Sequence, residues 1–146
     1  MLISNGPPTG TQLVQRGAVM QVQVGAPLAV RQALQAAGKP VPQPQVLSAL
    51  IDTGATVCGV SYTVLQALGV QPTRTIAISG VSGPNPHGVF VVDFNVPLGA
   101  QSLKSANREV VGFNLGAPYQ ALIGHDFLAG MMLVYHGPTG TWTLAF

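Results

Sequence analysis

Apolar and polar residues alternate along several short stretches of the chain, which is the pattern of half-buried β-strands. Residues 18–25 give the clearest case, because Met20, Val22 and Val24 share one face and two glutamines occupy the other. Residues 49–51 are apolar on both faces, as in a central strand that is covered on both sides. Further strand patterns lie at residues 74–80, 88–98, 109–115, 119–124 and 133–146, the last with a turn at 137–140. The pattern therefore predicts a mainly β protein with seven or more strands.

Two short helices are predicted between these strands. Residues 61–70 place their apolar side chains on one side of a helix, with Ser61 at the N-cap and Gly69 at the C-terminal end. Residues 125–131 predict the second helix, with Asp126 as its cap.

The length of 146 residues corresponds to one domain. Residues 1–12 are rich in Gly, Pro and Thr and predict a flexible lead, and the domain follows over residues 13–146. Residues 25–46 are interpreted as an insertion between strands, with one or two helical turns and then an extended proline-rich loop. Residues 76–92 predict two strands around a long hairpin tip that is rich in glycine and proline.

Composition excludes several classes of protein. Apolar residues make up 47% of the chain and charged residues only 7%, which excludes intrinsic disorder. The six Lys and Arg residues are scattered, so no nucleic-acid partner is expected. No apolar run reaches the roughly 18 residues of a membrane span, and the N-terminal residues lack the pattern of a secretory signal. A surface with so few charges is poorly protected against association, which favours a dimer.

The histidines and the cysteine are candidates for metal or nucleophile chemistry. His87, His125 and His136 lie in different segments without the spacing of zinc ligands, so neither a metal nor another cofactor is expected. Cys58 has no histidine near it in the sequence and is interpreted as a buried, unreactive thiol. A single cysteine cannot form an internal disulfide, which favours a reducing compartment and a cytoplasmic location.

The most informative segment is the acidic turn that follows residues 49–51. Asp52 directly follows the apolar strand and is followed by Thr53 and Gly54. A carboxylate at this place is costly to bury unless it is paired or functional. Taken alone, the tripeptide is common by chance and favours an ordinary turn at the end of a strand.

A second segment of the sequence favours a functional role for the D-T-G turn over an ordinary turn. The sequence A-L-I-D-T-G-A at residues 49–55 and the sequence A-L-I-G-H-D-F-L at residues 121–128 together resemble the two motifs of the retropepsin-like aspartic proteases. The segment A-L-G-V at 67–70, the glycine-rich hairpin and a terminal strand at 141–146 follow the order of that family. The resemblance implies a closed β-barrel of orthogonally packed strands with one or two short helices, and an endopeptidase that needs no cofactor.

The resemblance also implies a homodimer. Hydrolysis by two carboxyl groups requires one ionised and one protonated group, which share a single proton because both cannot ionise cheaply. The chain has one D-T-G triplet, and its other acids, Asp93, Glu109 and Asp126, do not stand in such a turn. The predicted catalytic group is therefore Asp52 from each of two copies, acting on a polypeptide with extended apolar segments.

The resemblance assigns further residues to supporting roles. The residues expected around the catalytic group are Thr53, which hydrogen-bonds across the dimer, Gly54, which lets the substrate backbone approach, Ala55, which lines the cleft, and Gly124, which packs behind the turn. The residues expected on a mobile flap are Ile78, Gly80, Val81, Ser82 and Gly83, and a tip at residues 84–88 is the alternative. The residues expected in the dimer interface are Thr53, Trp142, Leu144 and Phe146.

The chain departs from the family pattern at one pair of positions. Thr56 and His125 stand where retroviral members have an Asp and an Arg that form an ion pair. A hydrogen bond between Thr56 and His125 is the expected replacement, and a neutral pair anchors a dimer less firmly than a charged one.

The alternative interpretation of the chain as a whole is a catalytically inactive module that dimerises or binds peptides.

Overall fold

A ring of six hydrogen-bonded strands forms the body of the protein. The computed structural model describes residues 3–5, 10–98, 100–116 and 118–146. The strands are β1 (Ile3–Asn5), β2 (Val19–Gly25), β3 (Gln45–Ile51), β4 (Gly59–Ser61), β5 (Arg74–Gly80), β6 (Gly83–Leu98), β7 (Gln101–Phe113), β8 (Ala121–Ile123), β9 (Met132–His136) and β10 (Thr141–Ala145). The helices are α1 (Gly10–Arg16), α2 (Leu28–Ala36), α3 (Tyr62–Ala67) and α4 (His125–Leu128), with a 3₁₀ turn at Gly137–Thr139.

The ring runs in the order β2, β3, β8, β4, β7 and β6, and it closes because β6 also pairs with β2. Strand β5 pairs with β6 outside the ring. Closure removes free edges from the ring, and its interior is filled by buried side chains such as Phe94, Leu47 and Val22. The mainly β, closed-barrel fold predicted from the sequence is thereby confirmed.

Local patterns in the sequence predicted the covered faces of the strands correctly. In β2, Met20, Val22 and Val24 are buried whereas Gln21 is exposed. Helix α3 ends two residues before Gly69, whose φ of +70° lies in the left-handed region that favours glycine at the end of a helix.

The predicted insertion contains a longer helix than the sequence pattern indicated. Helix α2 has nine residues, none of them fully buried, and residues 37–44 have no regular structure. The alanines, leucines and glutamines of this helix are strong helix formers, which accounts for a helix longer than the one or two turns expected. The helix ends before Pro40, which cannot continue it.

Strands β5 and β6 form a hairpin with a much shorter tip than predicted. Val81 and Ser82 make the whole turn, because Gly80 already pairs with Gly83. The tip therefore lies at the first of the two positions considered, and the alternative at residues 84–88 is wrong because this segment is part of β6.

Prolines fit into this strand because the hairpin extends beyond the barrel. Pro84 and Pro86 pair with residues of β5, and the pairing of β6 with β7 begins only at Val89. A proline cannot donate a backbone hydrogen bond, so it is tolerated where a strand has a neighbour on one side only. Proline content alone was therefore a misleading sign of a loop.

A separate three-stranded sheet joins both ends of the chain in the order β1, β10, β9. Strand β1 lies within the lead predicted over residues 1–12, and helix α1 starts within the same lead at Gly10. The rest of that lead, residues 1–2 and 6–9, lies outside the described residues. Its described part is thus regular secondary structure, with β1 paired to β10 of the same chain.

The buried face of β10 is covered by its own chain. Trp142 and Leu144 are 4% and 0% exposed within the single chain, and Phe146 is half-buried against the same core. Trp142 and Leu144 therefore belong to the core of the single chain, and their place in a dimer interface stays a prediction. Among the described residues, no helix is both long and apolar enough to cross a membrane.

Candidate active site

The D-T-G turn begins where β3 leaves the barrel. Asp52 donates its backbone N–H to the carbonyl oxygen of Ile123 at 3.0 Å, and its own carbonyl oxygen accepts from the Ala55 N–H at 3.1 Å. The Asp52 carboxylate oxygen Oδ1 accepts a hydrogen bond from the Gly54 N–H at 2.9 Å. Asp52 and Ala55 are half-buried, whereas Thr53 and Gly54 are exposed. The turn thus fixes the carboxylate and presents its own tip to the outside.

The two A-L-I segments that the sequence repeats lie side by side. Strands β3 and β8 are parallel, and residues 49–51 pair in register with residues 121–123. Parallel strands that end together place the residues after them at one edge of the sheet. Asp52 and Gly124 are therefore neighbours at the end of the barrel, which explains why the two motifs occur together.

Gly124 has no room for a side chain. A Cβ atom built at this position would lie 2.5 Å from both the carbonyl carbon and the carbonyl oxygen of Val57. The clash would be with backbone, which cannot move aside as the end of a flexible side chain can. Gly124 accordingly allows the chain after β8 to approach the segment after the D-T-G turn.

Hydrogen bonds connect residues 55–58 with residues 124–126. The bonds run from Gly124 N–H to Cys58 Sγ at 3.4 Å, from His125 N–H to the Ala55 oxygen at 2.9 Å, from Asp126 N–H to the Thr56 oxygen at 3.1 Å, and from Cys58 N–H to Asp126 Oδ1 at 2.9 Å. We call this network the loop clamp. It holds the segment that carries Asp52 against helix α4.

Asp126 belongs to the loop clamp and is not the helix cap that the sequence predicted. Gly124 occupies the N-cap position of α4, and Asp126 lies within the helix. Its second carboxylate oxygen lies 3.5 Å from the guanidinium of Arg108, which also stacks on the Phe127 ring at 4.8 Å. Arg108 has no local sequence signal for this role, because the strand that carries it is distant in the chain.

We expect Asp126→Ala to destabilise the protein by about 2 kcal/mol, because it removes the acceptor of the Cys58 N–H and leaves a buried donor unpaired. Asp126→Asn keeps an acceptor oxygen at the same place and should lose much less. Urea unfolding of the two variants beside the wild type measures the difference. Equal losses for alanine and asparagine would assign the effect to the Arg108 ion pair rather than to the hydrogen bond.

His125 does not contact the side chain that the sequence suggested. Its ring nitrogen Nε2 donates a hydrogen bond to the carbonyl oxygen of Thr53, and the Thr56 side chain takes no part. The replacement of the family's ion pair is therefore a side-chain to backbone contact. It holds the tip of the D-T-G turn directly, within one chain.

Cys58 is a buried thiol at the back of the site. It is fully buried, and burial is the largest of the effects that raise its pKa from 9.0 to about 12, with the nearby Asp126 carboxylate also raising it. The thiolate is the reactive form of cysteine, so this environment opposes nucleophilic chemistry.

We expect two consequences from the raised pKa of Cys58. The native protein should resist alkylation by iodoacetamide at pH 8, and urea-unfolded protein should react at once. Because the folded state holds its thiol proton more tightly than the unfolded state, stability should also fall as pH rises from 9 toward 12. Rapid alkylation of the native protein would contradict this account, and Cys58→Ala is the control for other sites of reaction.

Among the four acidic residues, Asp52 is distinguished by its partners. Asp93 lies 3.6 Å from Arg31, Glu109 lies 2.8 Å from Arg74, and Asp126 lies 3.5 Å from Arg108. No Lys, Arg or His within the described ranges forms such a pair with Asp52. In that same part of the chain, no three His, Cys, Asp or Glu side chains converge as metal ligands.

The predicted hairpin residues lie outside this cluster, on the projecting β5–β6 hairpin. Ile78 and Gly83 are half-buried, and Gly80, Val81 and Ser82 are exposed at the tip. The structure therefore brings together Asp52, its triplet and Gly124 within one chain. The hairpin residues remain on a separate arm.

Solved structures similar to this chain include the simian foamy virus (mac) protease, with 18% identity, a TM-score of 0.45, and coverage of 77% of this chain and 92% of that protein. A retropepsin-like aspartic protease from Rickettsia conorii has 16% identity and a TM-score of 0.45, with 88% and 92% covered. The retroviral protease-like domain of Ddi1 from Leishmania major has 15% identity and a TM-score of 0.43, with 79% and 80% covered.

The sequence itself provides the family assignment. The curated proteins include no match to this chain. The sequence model described as aspartyl protease matches residues 35–127, which is more than half of the chain and includes the first motif and residues 121–127 of the second. The chain belongs to the aspartyl protease family.

Proposed function

We propose that the protein is an aspartic endopeptidase whose active form is a homodimer with one Asp52 carboxyl from each copy. The observation that carries this proposal is the D-T-G turn itself. A carboxylate is held by the Gly54 N–H at 2.9 Å at the exposed end of a barrel, and none of the described cations neutralises it.

The need for a second copy follows from the acids of the chain. The three other carboxylates each face an arginine within 3.6 Å, so none of them is free to act as the second catalytic group. Thr53 and Gly54 are exposed in the single chain, and both are available to a partner's turn. Two copies related by a two-fold axis would bring two identical turns together.

The chemistry proposed for the pair is hydrolysis without a covalent intermediate. The ionised carboxylate takes one proton from a water molecule, whose oxygen attacks the peptide carbonyl carbon, while the protonated carboxyl donates its proton to the carbonyl oxygen. In the second step the newly protonated carboxyl donates its proton to the nitrogen, while the other, now ionised, takes a proton from one hydroxyl of the tetrahedral diol. The C–N bond then breaks to give a carboxylic acid and an amine. Each carboxyl acts once as acid and once as base, so the pair returns to its starting state.

The β5–β6 hairpin is proposed to close over the bound peptide. Its tip is exposed and its Val81 side chain is fully open to solvent, while Ile76 and Ile78 are half-buried along β5. Apolar side chains on a closing arm favour extended apolar substrate segments, and closure excludes bulk water from the reaction. Ala55 borders the same turn with a small side chain that leaves space for the substrate backbone.

The test of this proposal is cleavage of a denatured protein and of a peptide library between pH 3 and pH 8. Because one carboxyl must be protonated, we expect cleavage in acidic buffer that declines toward neutral pH. The cut sites should have apolar residues on both sides. A cleavage rate that rose continuously into alkaline buffer would contradict the two-carboxyl mechanism.

A further inference from the structure

A cleft separates the insertion at residues 25–46 from the outer face of the barrel. Its volume is about 450 Å³, within the range of roughly 300–1,000 Å³ that is usual for ligand pockets. Arg31 of α2 and residues 41–44 form one wall, and strands β2, β6 and β7 form the other. None of its described lining residues belongs to the D-T-G turn or the loop clamp. The cleft is therefore separate from the candidate active site.

Three long polar side chains stand in a row on the barrel side of the cleft. Asn95 of β6 pairs with Gln23 of β2 on one side and with Lys104 of β7 on the other. Its neighbours Phe94 and Val96 are buried in the barrel. Because side chains alternate along a strand and directly opposed residues share a face, the three polar side chains point outward together.

Asn95 carries an acceptor without a partner. Its Nδ2 donates to Gln23 Oε1 at 3.3 Å, whereas its Oδ1 is buried and accepts no hydrogen bond from any described residue. Such an oxygen lowers the stability of the free protein. The side chain as a whole is only half-buried, and the last torsion of an asparagine has a broad range. Rotation of the amide would bring the oxygen to the cleft, where the N–H of a ligand could bind it.

The charges around the cleft leave one cation uncompensated. The Arg31 guanidinium lies 3.6 Å from the Asp93 carboxylate, and its Nε donates to the Ala26 carbonyl oxygen at 3.1 Å. Lys104 is exposed and forms no ion pair with any of the described acids. The free ammonium group beside Asn95 favours a ligand that carries a negative charge.

The opposite wall offers backbone groups. Residues 41–44 form no hydrogen bond with any other described residue. Pro42 and Pro44 have no N–H, so the donors of this wall are the N–H groups of Val41 and Gln43. Unpaired backbone groups of an extended segment are the groups to which peptides bind by strand addition.

We propose that this cleft binds a short peptide with a free C-terminal carboxylate. A peptide N–H would bind Asn95 Oδ1, the carboxylate would bind Lys104, and the peptide backbone would pair with residues 41–44. The inference goes beyond the proposed function and does not rest on it, because the cleft and the D-T-G turn have no residue in common.

Titration of ¹⁵N-labelled protein with acetyl-Ala-Ala-Ala tests the site by nuclear magnetic resonance. The Asp52→Asn protein is used so that the peptide stays intact. We expect saturable shifts of the side-chain amide signals of Asn95 and Gln23 and of the backbone signals of Val41 and Gln43. No shift of these signals at millimolar peptide would overturn the proposal.

Two further probes separate the parts of the ligand. The same peptide with a C-terminal amide should bind about threefold more weakly, because it lacks the charge for Lys104. Acetate has the carboxylate but no N–H, so it should leave the Asn95 amide unshifted. Equal affinity of the acid and the amide, or equal shifts with acetate, would overturn the assigned ligand.

Lys104→Gln should raise the dissociation constant of the peptide acid by about threefold and make it equal to that of the amide. Lys39→Gln is the matched control, because Lys39 is also exposed but does not line the cleft. Equal binding of the peptide acid by the two variants would exclude Lys104 as the carboxylate partner and overturn the proposal.

Asn95→Val separates a binding role from a structural one. The substitution removes the acceptor, so peptide binding should weaken by about fivefold. It also removes a buried oxygen without a partner, and valine suits a strand, so the free energy of unfolding should stay unchanged or rise. Lower stability with unchanged peptide binding would assign Asn95 to the fold and overturn the proposal.

The two proposals can fail separately. Peptide binding at the cleft of a protein whose wild type cleaves nothing at any pH would retain the site and reject the proposed function. Cleavage by a protein whose Asn95 and Gln23 signals never respond to peptide would reject the site and retain the protease.

Discussion

Asp52→Asn is expected to abolish peptide cleavage while leaving the fold intact. The substitution removes the group that exchanges protons with water and substrate, and a positioned acid or base contributes about 10²–10⁴-fold to a rate. Because both members of the proposed pair change together, we expect a loss at or beyond the upper end of that range. Asparagine retains an oxygen that can accept the Gly54 N–H, so the turn itself should persist.

The matched control for this substitution is Asp93→Asn. Asp93 accepts the Asn107 N–H through Oδ1 at 3.0 Å, in a bond that asparagine can also make, and it takes no part in the D-T-G turn. Cleavage rates and thermal unfolding of the two variants should be measured together. Equal activity of Asp52→Asn and the control would remove Asp52 from the chemistry.

The second large effect is expected from Gly124→Ala. The new methyl group would lie 2.5 Å from backbone atoms of Val57, so the segments after β8 and after the D-T-G turn must separate. We expect a loss of about 3 kcal/mol in the free energy of unfolding, at the upper end of what overpacking usually costs. Cleavage should also fall, because the loop clamp that holds the Asp52 segment depends on this approach.

Gly130→Ala is the control for that effect. Gly130 follows α4 closely, and a Cβ atom at this position meets nothing within 4 Å. Its stability should therefore stay close to that of the wild type. If Gly124→Ala proved as stable as Gly130→Ala in urea unfolding, the close approach at Val57 would not constrain the fold.

The candidate site could be predicted from the sequence because its signals are local. The residues A-L-I followed by D-T-G specify a buried strand and a turn, and the second A-L-I-G specifies its parallel neighbour. Each motif is contained in a few consecutive residues. The two motifs predict a functional site only because both are present, since either one alone is compatible with an ordinary turn.

The contacts behind the site could not be predicted in the same way. Asp126 looks like a helix cap in the sequence, and its actual partners, the Cys58 N–H and Arg108, lie 68 and 18 residues away. Similarly, His125 reaches the backbone of Thr53 rather than a side chain. Such contacts depend on how distant segments pack, which the pattern of apolar and polar residues does not record.

Strand β10 shows a further limit of sequence patterns. The alternation in residues 141–146 correctly indicated a strand with one covered face. A pattern of burial does not say whether the covering atoms belong to the same chain or to a partner. In the structure, Trp142 and Leu144 are covered by their own chain, whereas Met132, Val134 and Tyr135 of the neighbouring strand β9 are exposed.

The central claim is that each active site contains two Asp52 residues from different copies, and subunit mixing tests it most directly. Wild-type protein is equilibrated with increasing amounts of Asp52→Asn at constant wild-type concentration, under conditions where the wild type is saturated as a dimer. An equal amount of the variant should lower the cleavage rate to about one half, and a ninefold excess to about one tenth, because only wild-type pairs are active. A rate that stayed constant as the variant was added would show that one chain suffices, and would contradict the account.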